Sequence, residues 1–142
     1  MPARPLVGVG ILVRKNGQVL LMKRKNSHGA GSWSPPGGHV EFGESLESCA
    51  RRETQEEAGV YITDVTFRAV TNDFFEAEGK HYFTMWMEGR YISGEAIINA
   101  PSEAAEVGWF TWNMLPQPLF LPFANLLAGK CYPPDYKCEN CT

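Results

Sequence analysis

Apolar residues crowd two stretches near the start of the chain. Leu6 to Val13 interleaves Val, Ile and Leu with Gly8 and Gly10, and Val19 to Lys23 resumes the run. Asn16-Gly17 between them is a two-residue turn signal, so the pattern predicts a β-hairpin whose second strand ends at Arg24. The segment from Ser27 to Ser34 is a loop, and Trp33-Ser34-Pro35-Pro36-Gly37-Gly38 extends it with chain breakers. The period then changes. Leu46, Cys49 and Ala50 recur at i, i+3 and i+4, the stripe of a helix, with Ser45 placed as N-cap and Gly59 as the left-handed residue that ends it. Tyr61 to Asn72 and His81 to Tyr91 are rich in β-branched and aromatic residues and predict two strands, joined by the acidic connector Phe74 to Lys80. On the second, Tyr82, Thr84, Trp86 and Glu88 share one face, while Phe83, Met85 and Met87 share the other. Bulky apolar residues on both faces imply a strand covered on both sides, mostly core, with some side chains available to line a cleft. Ser93 to Glu106 follows as a loop, Val107 to Trp112 as a short aromatic strand, and Phe123 to Ala128 as a helix after Pro116, Pro118 and Pro122. The polar, Pro-containing end from about residue 130 to 142 is expected to be partly disordered.

The helix carries the first sign of chemistry. An ordinary amphipathic helix would continue its stripe with Leu or Val, but Glu53 and Glu57 stand there, with Glu56 on the flank. Acids at this spacing repel one another, lie near the unfavourable end of the helix dipole, and suffer desolvation when turned inward. A hard divalent cation, which takes oxygen ligands, is the simplest neutraliser. On spacing alone, a solvated acidic helix end fits as well. Glu103 and Glu106 are further acids that either stay solvated or reach the same metal. Arg24 precedes the Gly-rich turn, where a guanidinium can fork onto phosphate oxygens or remain a surface charge. His39 follows that turn as a phosphate donor or a structural residue.

A chain of 142 residues, 44% hydrophobic and 20% charged, fits one globular domain over residues 1–142. The net charge of −3 weighs against a nucleic-acid polymer or an anionic membrane as partner, since both demand a basic footprint. A small anionic substrate stays compatible when a metal supplies the positive charge. No apolar run approaches membrane-spanning length and no signal-peptide core is evident, so a cytoplasmic location is expected. Cys138-Glu-Asn-Cys141 has zinc-knuckle spacing without a second pair, and Cys131, Cys138 and Cys141 are taken as incidental to function.

Gly38, five residues, Glu44, seven residues, then Arg52-Glu53-Thr54-Gln55-Glu56-Glu57-Ala58-Gly59-Val60 resembles the signature of the Nudix hydrolases, with Thr54 where an aliphatic residue is usual. Lys23-Arg24-Lys25, Gly29-Ala30-Gly31-Ser32, Pro36 to Glu44, Asn72, His81-Tyr82 and the Leu115-Pro116 to Phe120 segment are similar to the small MutT-type nucleotide diphosphatases. The resemblance implies an α/β fold, an α/β/α sandwich around a central mixed sheet, in an enzyme that is often a homodimer. It implies Mg²⁺ on Glu53, Glu56 and Glu57, a Glu44–Arg52 pair fixing the loop to the helix, and phosphate contacts from Arg24 and His39. Glu53 or Glu57 would activate the attacking water, with a loop Glu as the alternative. The implied reaction cleaves a nucleoside triphosphate, including oxidised purine nucleotides, to monophosphate and pyrophosphate. The base pocket is expected around Phe120, Leu121 and Phe123; Leu121 stands where close members tend to have Trp, which suggests weak discrimination among bases. Two alternatives accompany this reading. One is a non-nucleotide diphosphate such as a prenyl diphosphate, its tail buried by the same three residues; the other is a nucleotide-sensing module without turnover.

Overall fold

The computed structural model describes residues 3–26 and 28–138. Strands β1 (Leu6–Lys15) and β2 (Gln18–Arg24) form the expected hairpin. Asn16 and Gly17 both adopt positive φ, 51° and 76°, which a turn matching the twist of the two strands requires. Next come β3 (Trp33–Ser34), β4 (Gly37–His39), α1 (Leu46–Ala58), β5 (Tyr61–Phe75), β6 (Lys80–Ser93), β7 (Ala104–Thr111), α2 (Leu121–Leu127) and β8 (Cys131–Tyr132). Among the described residues the strands join one sheet in the order β3-β2-β1-β6-β5-β8, with β4 paired to β1 and β7 to β2. The β1–β6 pairing is parallel and the others are antiparallel, so the sheet is mixed.

Period-two alternation divides the core between the two faces. Val9, Ile11 and Val13 of β1 with Leu20 and Met22 of β2 bury themselves with Cys49 and Ala50 of α1. Leu12, Val19 and Leu21 point the other way and pack with Trp86 and with Phe123 and Leu126 of α2. The result is the α/β/α sandwich. Gly10 is needed at its centre, because a Cβ there would meet the Trp86 ring at 2.5 Å.

Several boundaries differ from the sequence pattern. Phe74 and Phe75 belong to β5 rather than to a connector, because they continue the ladder opposite His81 and Lys80. Strand β7 starts at Ala104, inside the expected loop, since it pairs with β2 from Gln18 to Arg24. Helix α2 starts at Leu121, two residues early, because Pro122 lies in the first turn, where its missing N–H costs nothing. Within the stretch expected to be loose, the described residues 131–138 are held. Cys131–Tyr132 pairs with β5, Cys131 and Cys138 are buried, and the Arg14 guanidinium donates to the Cys138 carbonyl at 3.1 Å. Arg14 also joins Arg68 on the buried Glu88 carboxylate. Glu139, Asn140 and Cys141, the remainder of the spacing motif that begins at Cys138, lie outside the described residues.

Candidate active site

Helix α1 is fixed at both ends by local chemistry. The Ser48 N–H donates to the Ser45 hydroxyl at 3.0 Å, and Gly59, at φ 70°, returns its N–H to the Gln55 carbonyl at 2.9 Å. Its buried stripe includes Thr54, whose hydroxyl donates to the Ala50 carbonyl at 2.7 Å. A Thr therefore sits in that apolar position with its polar atom satisfied. This stripe brings Glu53 and Glu57 against the Gly-rich turn. The Gly37 N–H donates to Glu57 Oε1 at 2.9 Å, and a Cβ on Gly38 would overlap the Glu53 carboxylate. Any larger residue at 38 would push the Glu53 carboxylate out of this position.

Arg52 ties the turn, the loop and the helix together. Its guanidinium donates to the two Glu44 oxygens at 2.7 and 2.9 Å and to the His39 carbonyl at 3.2 Å. The same group reaches Glu53 at 3.2 Å and Glu56 at 3.1 Å. These hydrogen bonds hold the Glu44 carboxyl down at about 2, well below its ordinary range. The inner acids move the other way. Burial pushes Glu53 up to about 7 against the pull of Arg52, with Glu56 and Glu103 adding to the rise. Burial pushes Glu57 to about 8, opposed by the Gly37 N–H and reinforced by Glu53 and Glu103.

These acids form one end of a 560 Å³ cleft, with Glu103 contributed by the turn before β7. The other end is aromatic. His28 stacks on Tyr82 at 5.7 Å between ring centroids and meets Phe75 edge-on at 4.6 Å, while Phe75 lies 5.5 Å from Phe120. The Arg24 guanidinium lies over Phe120 at 3.8 Å. Burial lowers the Arg24 pKa, and the nearby charge of Glu57 opposes that shift. Thr84 and Trp86 of β6 close the cleft from the sheet side.

Of the residues singled out in the sequence, Arg24, His39, Glu53, Glu56, Glu57 and Phe120 line this one cleft. Leu121 and Phe123 do not line the cleft; Pro122 does. Phe123 is fully buried, 6.0 Å from Trp86 and 6.4 Å from Trp112 between ring centroids, because α2 turns it onto the sheet as core. Without Leu121 at the cleft, the argument for weak base discrimination loses its basis. Glu106 pairs with Lys23 at 3.5 Å instead, and of the two loop acids only Glu103 lines the cleft. As they stand, no three His, Cys, Asp or Glu side chains among the described residues converge closely enough to hold a metal ion. Glu53 and Glu56 instead accept from Arg52, and Glu57 accepts from the Gly37 amide. His28 and Phe75 escape sequence reading altogether, whereas the alternation of Tyr82, Thr84 and Trp86 on one strand face was the available signal for that wall.

A NUDIX domain model matches residues 4–128. The oxidized purine nucleoside triphosphate hydrolase of Danio rerio is 34% identical over 108 residues, which cover 75% of this chain and 66% of that protein. The ADP-ribose pyrophosphatase of Methanocaldococcus jannaschii is 32% identical over 116 residues, 82% of this chain and 68% of that one. The chain therefore spans about two thirds of the length of these relatives. Among solved structures, a MutT NUDIX hydrolase from Burkholderia pseudomallei superposes with a TM-score of 0.78 at 35% identity, covering 83% of this chain and 92% of its own.

Proposed function

The chain belongs to the NUDIX hydrolase family, and from that premise we propose that it hydrolyses a nucleoside triphosphate, oxidised purine nucleotides included, to monophosphate and pyrophosphate with Mg²⁺ or Mn²⁺. The observation that carries this reading is a single cleft with carboxylates at one end and aromatic rings at the other, with Arg24 lying over the Phe120 ring and within the field of Glu57. Such a cleft suits a ligand with a charged diphosphate and a flat ring. The donor set also suits a hard cation: Glu53, Glu56 and Glu57 offer only oxygen, beside a glycine whose missing Cβ leaves room for Glu53. When bound, the cation would offset the acids' repulsion, draw charge from phosphate oxygens and make a nearby water more acidic.

The protein's own groups do the rest. Arg24 forks onto phosphate oxygens and His39 donates to them, which orients the diphosphate for in-line attack. Glu57 or Glu53 accepts a proton as the water oxygen bonds to phosphorus; the bridging P–O bond breaks and pyrophosphate leaves. Glu44 and Arg52 keep the Gly-rich turn docked on α1, so the acids and the diphosphate stay in register. The aromatic rings exclude water from the far end and favour a nucleobase by stacking. Among the described residues no helix is long and apolar enough to cross a membrane. The proposed assembly is a homodimer, checked by light scattering.

The test is release of monophosphate and pyrophosphate from deoxynucleoside triphosphates and their 8-oxo forms, with ADP-ribose and a prenyl diphosphate in the same panel. Turnover of a nucleoside triphosphate with Mg²⁺ that stops on adding EDTA is expected. Full turnover in EDTA, or cleavage of the prenyl diphosphate alone, would overturn the reading.

A further inference from the structure

Beneath the aromatic end of the cleft lies a buried polar network that the proposed hydrolysis does not use. Its centre is Asp73 of β5, which is fully buried. Its Oδ2 accepts from the Thr84 hydroxyl at 2.6 Å and from the Thr71 hydroxyl at 2.9 Å. Its Oδ1 accepts from the Asn125 side-chain amide of α2 at 3.0 Å. The Thr71 oxygen accepts in turn from the Trp86 indole N–H at 2.9 Å. Thr84 and Trp86 both line the cleft, and Thr84 is only 8% exposed.

The direction of these bonds matters more than their number. A carboxylate only accepts, and a hydroxyl has one proton. Thr84 therefore commits its proton to Asp73, and what it can offer the cleft is a methyl group and oxygen lone pairs. We propose that Thr84, oriented by Asp73, is a specificity-determining residue that gives the cleft an acceptor-only floor and so selects a ligand ring bearing an N–H on its edge. This rests on the reading of the cleft as a nucleotide diphosphate site, and it names the part of the ligand that the far end recognises. Amide or amine N–H groups occur on all the common nucleobases, so the floor separates a base from a hydrocarbon more strongly than one base from another. A prenyl tail would bury the acceptor without a partner. Asp73 is the positioning residue. It does not line the cleft, and it fixes which way the Thr84 proton points.

The experiment uses two purine ligands, one with N–H groups on its ring edge and one without. Binding of GMP and of purine riboside monophosphate, whose base has no N–H, is measured by calorimetry on the full chain, next to hydrolysis of the matching triphosphates. In the unsubstituted protein GMP should bind about tenfold or more tightly, the effect of one well-made hydrogen bond. Thr84→Ser should keep that ratio. Thr84→Val, which retains shape and loses the acceptor, should bring it near one by weakening GMP alone. Asp73→Asn lets an amide donate to the Thr84 oxygen and frees its proton for the cleft, so the ratio should fall or invert. Equal binding of the two ligands to the unsubstituted protein, or an unchanged ratio in Thr84→Val, overturns the proposal. Because the ratio is read from binding, a protein that shows it without turning over triphosphates sinks the proposed hydrolysis and leaves this floor standing.

Discussion

At the scale of single residues, surroundings separate two acids of the same kind, one in the loop before α1 and one in its last turn. Glu44 meets a guanidinium with both oxygens and stays ionised, whereas Glu57, thirteen residues on, is buried against one backbone amide and resists ionisation. Near neutral pH, replacing Glu57 by Gln should therefore remove the cost of keeping this buried acid protonated and raise the melting temperature of the metal-free protein, while lowering kcat by about 10²- to 10⁴-fold, the usual contribution of a positioned base. Thermal unfolding and pyrophosphate release on the same preparation check both halves, and an active variant would show that the base lies elsewhere. The acids, Arg52 and Gly38 were legible because their spacing is set within one helix and the turn before it. Phe123 was misread for a related reason. One turn of helix separates a residue that could face the cleft from one that faces the sheet, and the start of α2 decides between them. Phe123→Ala should accordingly behave as a core truncation, costing about 3–5 kcal/mol of stability. Denaturant unfolding measures this, and a cost under about 1 kcal/mol would return Phe123 to the cleft wall.

Among elements, α1 matters most, because its register against β4 sets where Glu53 and Glu57 stand. The Ser45 cap is local and exposed, and Ser45→Ala should cost about 1 kcal/mol. That loss should appear in unfolding with little change in KM, since the cap touches neither the cleft nor its acids. A large rise in KM would mean that fraying at Ser45 moves the whole loop from Glu41 to Glu44. The helix bounds were legible from the cap, the stripe and Gly59. Strand ends were not, since the extent of β5 and β7 is decided by partners distant in sequence, β6 and β2, which no local pattern specifies. The same holds for the aromatic wall. His28 and Phe75 come from a loop and a strand end that meet only once the sheet has formed, so nothing in their own neighbourhoods marked them.

For the whole molecule, the acids make stability depend on pH and on metal in a linked way. Glu44 has its folded pKa lowered from 4.5 to about 2, so its contribution is present above about 4.5 and is lost as pH falls toward 2. Glu53 and Glu57 have theirs raised from 4.5 to about 7 and about 8. In that interval the folded chain binds more protons than the unfolded one, so their contribution is complete below about 4.5 and fades as pH rises through 7 and 8. The metal-free protein should therefore be most stable in mildly acidic solution and lose stability on both sides. A cation held by Glu53 and Glu57 competes with those same protons and stabilises the fold by mass action. The rise in melting temperature on adding a fixed concentration of Mg²⁺ should then be small at pH 5 and grow steadily to pH 8. Glu57→Gln should flatten that dependence, while Ser45→Ala, which lowers every melting point, should leave its slope unchanged. A Mg²⁺ shift that is the same at pH 5 and pH 8 would mean that the ion binds away from the two buried acids, and the assignment of the metal to α1 would fall with it.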